Sequence, residues 1–239
     1  MEDRDPNALR VGRQDELRSR RPIVLAGIGA ALLCNYWVLE GLLAERTDLA
    51  TSWISDIATR SESFGWRFVT LGVISGLAIA GFALLLLRCW DGCSRILRRG
   101  LLALLGSGAL TVVASAAPLS CPEGLEPSCS LAYDPLDVIH SIATAGEIAA
   151  TVLAFAFIGV GLLRLGTYRR AGRATLAIGA LWLALTALTG LSYLSGDVDS
   201  VKGIFQRADQ VVFGAWLVLL GVSRAPARRR SRSGAGAPR

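Results

Sequence analysis

One predicted helix carries both the single histidine of the chain and a carboxylic acid, residue types that can exchange protons or bind a ligand. The stretch 137–165, DVIHSIATAGEIAATVLAFAFIGVGLLRL, sets Glu147 inside an apolar run. At about 100° per residue, five polar residues fall within about 80° on one side of that helix: Asp137, His140, Thr144, Glu147 and Thr151. At ~1.5 Å per residue, Glu147 lies ~15 Å below Asp137, well inside a hydrocarbon layer about 30 Å thick. The Glu147 carboxyl must therefore face protein or trapped water.

Other segments carry polar residues that the predicted topology brings to a similar depth. They are Asn35, Glu40, Ser55, Asp56, Arg207 and Gln210. Ionisable groups inside a membrane are costly and are expected to pair with one another. We therefore expect Arg207 to be the counter-ion of Glu40 or Glu147.

Three interpretations of this polar cluster remain open. In an intramembrane enzyme, His140 would act as general acid or base, oriented by Asp137 or Asp56, with Ser55 as nucleophile and Arg207 stabilising charge on a lipid head group. In a binding protein or proton pathway, Glu147 and His140 would bind or relay, and Trp182 and Tyr193 would line a cavity. In a purely structural network, the same polar groups would satisfy one another and fix how the helices pack.

Metal and cofactor chemistry receive less support from the sequence. His140 with Asp137, Asp56 and Glu147 is an acceptable ligand set for zinc or manganese, but catalytic zinc usually keeps more than one imidazole. The chain has one His, no CxxC pair and no phosphate-cradling glycine loop. We predict neither a metal nor a cofactor.

Composition indicates a membrane protein. Hydrophobic residues make up 52% of the 239 residues, more than a soluble domain of this size carries. The formal net charge of +6 comes from basic segments between apolar runs rather than from a basic patch on a folded surface. We therefore predict contact with membrane lipid and no nucleic-acid partner; the oligomeric state is left open.

Apolar runs predict an all-α bundle of six membrane spans, with a short interfacial helix within residues 44–67. The spans cover residues 22–43, 68–87, 100–118, 137–164, 174–194 and 206–222. Residues 22–222 would form one membrane domain, between a disordered arm at 1–21 and a disordered basic tail at 223–239. In the second span, Gly72, Gly76 and Ala80 recur at four-residue steps, which predicts close approach of another helix.

The distribution of charge predicts the orientation. The amino-terminal arm, two loops and the tail hold 20 of the 25 basic residues, and six spans place these four segments on one side. By the positive-inside rule, both termini are cytoplasmic in the cell membrane, and the polar cluster faces outward. On the outer side, Cys121 and Cys129 share one loop, where an oxidising compartment favours a disulfide.

Four motifs in order carry a family resemblance: NYWVLEG in the first span, WISDIATR before the second, DVIH at the head of the fourth and GIFQRADQVVFGAW at the sixth. In this order they resemble the bacterial six-span membrane proteins grouped as a domain of unknown function, DUF998. The resemblance implies a fold and a membrane location but no activity. It also implies that Ser55-Asp56, His140, and Gly203 with Arg207 are recurring polar positions. More distantly, the layout is similar to membrane hydrolases of the alkaline ceramidase and adiponectin-receptor type, which use several histidines for zinc where this chain offers one.

Overall fold

The computed structural model describes residues 21–39, 50–90, 94–122, 134–194 and 201–223, and this part of the chain is helical and without strands. The six α-helices are α1 (Arg21–Cys34), α2 (Gly65–Cys89), α3 (Arg95–Ala116), α4 (Pro135–Arg164), α5 (Arg169–Leu194) and α6 (Lys202–Val222). Two short 3₁₀ turns, Tyr36–Leu39 and Ile54–Ala58, lie between α1 and α2. The all-helical prediction is confirmed for these residues, and the helices extend a few residues beyond several of the predicted spans.

Local sequence explains where α4 begins and ends. Asp134 caps the helix, because its side chain accepts a hydrogen bond from the backbone N–H of Leu136 at 2.8 Å. Pro135 follows at the first helical position, where its missing N–H costs nothing. Gly166 lies just beyond the last turn with φ of +65°, a left-handed conformation that stops the helix.

Small residues let the helices pack closely. A Cβ added to Gly76 on α2 would lie 2.7 Å from the carbonyl oxygen of Gly108 on α3, so no larger residue fits without moving a backbone. The close approach predicted from the small-residue spacing in the second span is therefore confirmed. On α1, a Cβ on Gly27 would meet the carbonyl oxygen of Leu217 on α6 at 2.9 Å and the ring of Phe82 on α2 at 3.3 Å. Since consecutive helices from α2 to α6 also pack together, α1 closes the ring between α2 and α6.

Aromatic side chains fill the centre of the bundle. The ring of Phe155 on α4 lies 4.1 Å from that of Trp216 on α6 and 5.8 Å from that of Trp182 on α5, measured between centroids. Trp216 is fully buried, and its indole N–H donates to the hydroxyl of Thr175 at 3.3 Å. This packed aromatic layer closes the cavity described below on one side.

Helices α2 to α5 are long and apolar enough to cross a membrane. Their outer faces are apolar: Ile142 on α4, for example, is 68% exposed. The described part of α1 is shorter, and α6 carries polar residues in its first turns, so length and composition alone do not assign either as a span. The four candidate spans support a membrane protein, and the count of six stays a prediction.

The predicted interfacial helix takes a different form in the described residues. Between α1 and α2 the chain forms the 3₁₀ turn Ile54–Ala58, in which Ile54, Asp56 and Ile57 are buried. This turn packs against α2 and α6 at one end of the bundle. The spacing of apolar residues in 44–67 indicated one buried face, but the turn lies over the end of the bundle instead of extending as a helix.

Candidate binding cavity

A cavity of about 690 Å³ lies at one end of the helix ring. It is lined by the carboxyl-terminal parts of α1, α3 and α5, by the amino-terminal parts of α2, α4 and α6, and by residues 53–58, which cap it. The antiparallel order of the helices brings these six ends together. The polar lining residues are Ser55, Ser75, Thr111, Ser115, His140, Ser141, Thr144, Glu147, Thr186, Thr189, Gln206, Asp209 and Gln210.

Two carboxylic acids reach this cavity from different helices. Glu147 lies near the middle of α4 and lines the cavity beside Thr111 of α3, whose hydroxyl donates to the carbonyl oxygen of Ser107 at 3.0 Å. Asp209 lies in the second turn of α6 and is 5% exposed. Its Oδ2 accepts a hydrogen bond of 3.4 Å from Thr186 of α5, whereas its buried Oδ1 has no hydrogen-bond partner among the described residues. The described residues that line the cavity include no Lys or Arg.

Sequence reasoning did not select Asp209 as a site residue. The signal was present in QRADQ at residues 206–210, because Gln206, Asp209 and Gln210 are spaced by three and four residues and therefore share one face of α6. Asp209 lies ~200° around the helix from Arg207, at about 100° per residue. The two charges thus face different surroundings, and the acid is the one that lines the cavity.

Aromatic residues form much of the apolar wall. They are Tyr36, Trp53, Phe68, Trp182 and Phe213. Trp182 is 5% exposed, and its buried indole N–H has no acceptor within the described part of the chain. The sequence predicted that Trp182 lines a cavity, and it lies there; the side chain of Tyr193 and its predicted role lie outside what the structure describes.

His140 is tied to the end of α3. Its Nδ1 lies 2.9 Å from the carbonyl oxygen of Ala114 and 3.1 Å from that of Ala117, which caps α3. Since both neighbours are acceptors, Nδ1 is the protonated nitrogen and donates to them. His140 therefore supplies a donor to two carbonyl groups at the end of α3, of which that of Ala114 also accepts from the backbone N–H of Ala117, while its ring lines the cavity. No carboxylate among the described residues hydrogen-bonds to the ring.

Asp137 holds a loop rather than the histidine. It is fully buried and accepts hydrogen bonds from the backbone N–H of Ser120 at 2.8 Å and from its hydroxyl at 2.6 Å. Arg60 lies 3.7 Å away and also pairs with Asp134, holding the pKa of the Asp134 carboxyl below its usual value. Asp137 and Arg60 thus fasten the segment after α3 to the start of α4. The expectation that Asp137 orients His140 is not what the structure shows.

Asp56 and Ser55 have different surroundings in the capping turn. The fully buried Asp56 accepts a hydrogen bond of 2.8 Å from the backbone N–H of Trp53, which stabilises the turn, and it makes no bond to His140. Ser55 lines the cavity. The turn is fixed to α6 because Gln206 Oε1 accepts from the backbone N–H of Ile54 at 2.8 Å.

Arg207 points toward the capping segment and is absent from the cavity lining. Its guanidinium donates to the carbonyl oxygens of Ser52 at 2.8 Å and Gly203 at 3.1 Å, and it lies 5.8 Å from the ring centre of Trp37. No ion pair joins it to Glu147 within the described residues. Glu40 lies outside those residues, so the proposed pairing of Arg207 with Glu40 stays a prediction.

The remaining predicted residues divide between packing and the cavity. Asn35 joins α1 to α6, because its amide donates to the carbonyl oxygens of Ala31 at 2.8 Å and Gln210 at 3.4 Å. Gln210 also lines the cavity.

Cys129 lies outside the described residues, so the predicted disulfide between Cys121 and Cys129 is untested. The described residues contain no group of three or more His, Cys, Asp and Glu arranged to hold a metal ion.

Taken together, the apolar helices and the closed ring define an all-helical membrane protein. The family model described as "Protein of unknown function (DUF998)" matches residues 25–223, and the chain belongs to this family. The match confirms the resemblance carried by the four motifs. No curated protein and no solved structure matches the chain.

Proposed function

We propose that this protein crosses the cell membrane six times and binds a lipid or small amphiphile in the cavity at one end of its helix ring. The observation that carries the proposal is a pair of buried polar atoms on residues that line the cavity, Asp209 Oδ1 and Trp182 Nε1, neither of which has a hydrogen-bond partner among the described residues. Buried polar groups are costly unless they are hydrogen-bonded, and a bound molecule would supply both bonds. The volume of about 690 Å³ falls in the range of small-molecule sites.

The charge pattern supports an outward-facing cavity. The cavity end of the bundle contains the start of α2 and of α4. The basic loops after α2 and α4 lie at the opposite end, and the positive-inside rule assigns basic loops to the cytoplasm. Both termini would then be cytoplasmic, and the loop between Cys121 and Cys129 would be outside, where we infer a disulfide.

An intramembrane hydrolase acting on a lipid head group is a second candidate, and one observation favours it. The Nδ1 of His140 is used by the end of α3, which leaves Nε2 as an acceptor on a ring that lines the cavity together with Ser55. The two acids considered as orienting groups, Asp137 and Asp56, bond elsewhere. Binding therefore has the stronger support.

Native mass spectrometry of protein released from membrane nanodiscs tests the binding proposal. Wild type should carry a small molecule that dissociates at higher energy. Thr144→Phe, which places a ring in the cavity, should lose it. Ile142→Phe is the matched control, because Ile142 lies on the outer face of the same helix. Retention of the molecule by Thr144→Phe, or its absence from wild type, would contradict the proposal.

A further inference from the structure

We propose that the molecule bound in this cavity is an organic cation, an amphiphile with a protonated amine, held between Glu147 and Asp209. This inference rests on the proposed function, because it names the chemical class of the ligand at the same site. It follows from the charge of the cavity lining, from the unpartnered oxygen of Asp209 and from the aromatic wall.

The lining has acids without matching basic side chains. Glu147 and Asp209 both face the cavity, and the other titratable side chains among its described lining residues are His140, Cys34 and Tyr36. At neutral pH, none of those three supplies a permanent positive charge comparable to Lys or Arg. A cavity with this lining favours a cation over an anion.

Three described basic residues near this end of the bundle make contacts outside the cavity. Lys202 lies 5.2 Å from the ring centre of Trp53, on the capping segment. Arg207 donates to the backbone of the same segment, and Arg60 pairs with Asp134. All three fasten loops to the bundle and are absent from the cavity lining. None of these three residues neutralises Glu147 or Asp209, so we infer that a ligand supplies the positive charge.

Asp209 supplies the independent observation. Its side chain is 95% buried, given an exposed fraction of 5%, and it lines the cavity with Oδ1 unpartnered among the described residues. The single contact of the carboxyl, from Thr186, is long at 3.4 Å. An ammonium group provides both a charge and N–H donors, which is what a buried carboxylate oxygen requires.

The apolar wall suits the rest of such a molecule. Phe213 lies one turn after Asp209 on α6, and Trp182 lies one turn before Thr186 on α5, so both rings lie close to the acid. Aromatic faces attract ammonium groups and also bury alkyl chains. The indole N–H of Trp182 would be satisfied by a hydroxyl or carbonyl oxygen beside the amine.

Three probes of equal length and different charge test the proposal on the full chain in nanodiscs of phosphatidylglycerol. Octylamine, octanol and octanoate are titrated while tryptophan fluorescence and thermal unfolding are followed, with empty nanodiscs correcting for partition into lipid. Octylamine should bind at least about tenfold more tightly than the other two. Equal binding of octylamine and octanol would overturn the cationic ligand yet leave amphiphile binding standing. If none of the probes binds and wild type releases no small molecule, the proposed function itself fails.

Substitutions of the two acids test whether Glu147 and Asp209 are the residues that bind octylamine. Glu147→Gln and Asp209→Asn should each weaken octylamine binding about tenfold or more without changing octanol binding. Glu62→Gln is the control, because Glu62 lies at the same end of the bundle but outside the cavity lining. Unchanged octylamine binding in both cavity variants would overturn the assignment. If either variant fails to fold, the preference of wild type for octylamine over octanol and octanoate still tests the proposal.

A second lipid arm distinguishes the two sources of such a cation. Replacing phosphatidylglycerol by phosphatidylethanolamine offers a lipid with a primary ammonium in its head group. If that head group is the natural occupant, octylamine should bind more weakly in the second lipid by competition. If octylamine binds equally in both, a free amine is the occupant. Both results support the proposal of a cationic ligand, whereas octanoate binding more tightly than octylamine in either lipid contradicts it.

Discussion

The hydroxyl of Thr186 on α5 lies 3.4 Å from Oδ2 of Asp209 on α6, and no other described side chain hydrogen-bonds to that buried carboxyl. A carboxyl so placed is unfavourable for the folded protein unless a ligand is bound, because burial removes water without supplying equivalent partners. Residues that serve binding at the expense of stability are expected to show this pattern.

Asp209→Asn should therefore stabilise the ligand-free protein. We expect the free energy of unfolding to rise by about 1 kcal/mol, since the amide oxygen still accepts from Thr186 and the amide, unlike the carboxyl, cannot ionise in this buried position. Equilibrium unfolding in detergent after ligand removal measures this, with Glu62→Gln as the control. A loss of more than about 2 kcal/mol would show instead that Asp209 holds the fold.

Asp137→Ala should destabilise the protein strongly. The substitution removes the fully buried carboxylate that accepts from the N–H and hydroxyl of the partly buried Ser120, and it also removes a neighbour of Arg60. We expect a loss of about 3 kcal/mol in unfolding free energy. Asp134→Ala is the matched control, because it removes an exposed cap of the same helix and a partner of Arg60 and should cost less than Asp137→Ala. Equal costs for the two variants would contradict the assigned role of Asp137.

Substitutions of His140 separate the hydrogen bonds that Nδ1 makes to α3 from the group that Nε2 presents to the cavity. Asparagine can place an N–H near the position of Nδ1 but has no group at Nε2. We therefore expect His140→Asn to keep most of the stability, while His140→Ala loses about 1 to 2 kcal/mol through the freed carbonyl groups at the end of α3. If asparagine is as destabilising as alanine, the hydrogen bonds to Ala114 and Ala117 do not account for the position of the ring.

Acid should weaken the pairing of Arg60 with Asp134. Because Arg60 holds the pKa of Asp134 below the usual 3.8, ionisation of this group stabilises the folded state above pH 3.8, and the stabilisation is lost as the pH falls through the lowered pKa. The difference in unfolding free energy between wild type and Asp134→Asn should shrink on acidification. In an Arg60→Gln background that dependence should be smaller. If the difference in unfolding free energy between wild type and Asp134→Asn grew in acid, the pairing of Arg60 with Asp134 would be contradicted. Because this pair is exposed, its contribution to stability is modest and sensitive to salt.

The proposed disulfide and orientation can be tested together by cysteine labelling of intact cells. A membrane-impermeant maleimide should label Cys121 and Cys129 only after reduction, and Cys89 only after the membrane is opened. Reduction should also lower the unfolding free energy by about 2 to 4 kcal/mol. Labelling of the first two cysteines without reductant would contradict the disulfide, and labelling of Cys89 in intact cells would contradict the orientation.

The helices were predictable because their signals are local. Apolar runs, Pro135 after the Asp134 cap and small residues such as Gly76 depend on neighbours in the chain. The cluster of polar ends was also predictable, since alternating helices bring their ends together. That reasoning placed His140 and Glu147 near the same polar region. The orienting acids that it named for His140, Asp137 or Asp56, are not the groups that bond to the ring.

The individual contacts were not predictable, because they depend on how helices approach in space. The spacing in the sequence places Asp209 on one face of α6 with Gln206 and Gln210, but it does not show that this face, and not the face of Arg207, turns toward the cavity. His140 bonds to carbonyl oxygens of α3, and backbone acceptors have no sequence signature. A charge-pairing rule therefore predicted Glu40 or Glu147 as the counter-ion of Arg207. The guanidinium donates to the backbone of Ser52 and Gly203, and the pairing with Glu40 lies outside the described residues.

The most direct measurement is a high-resolution density map of the protein in nanodiscs cut from its own membrane. We predict a bound molecule beside Trp182, with a nitrogen within about 3.5 Å of Asp209 Oδ1 or the Glu147 carboxyl. A closed and dry cavity, or an Asp209 carboxyl paired with another side chain of the protein, would contradict it.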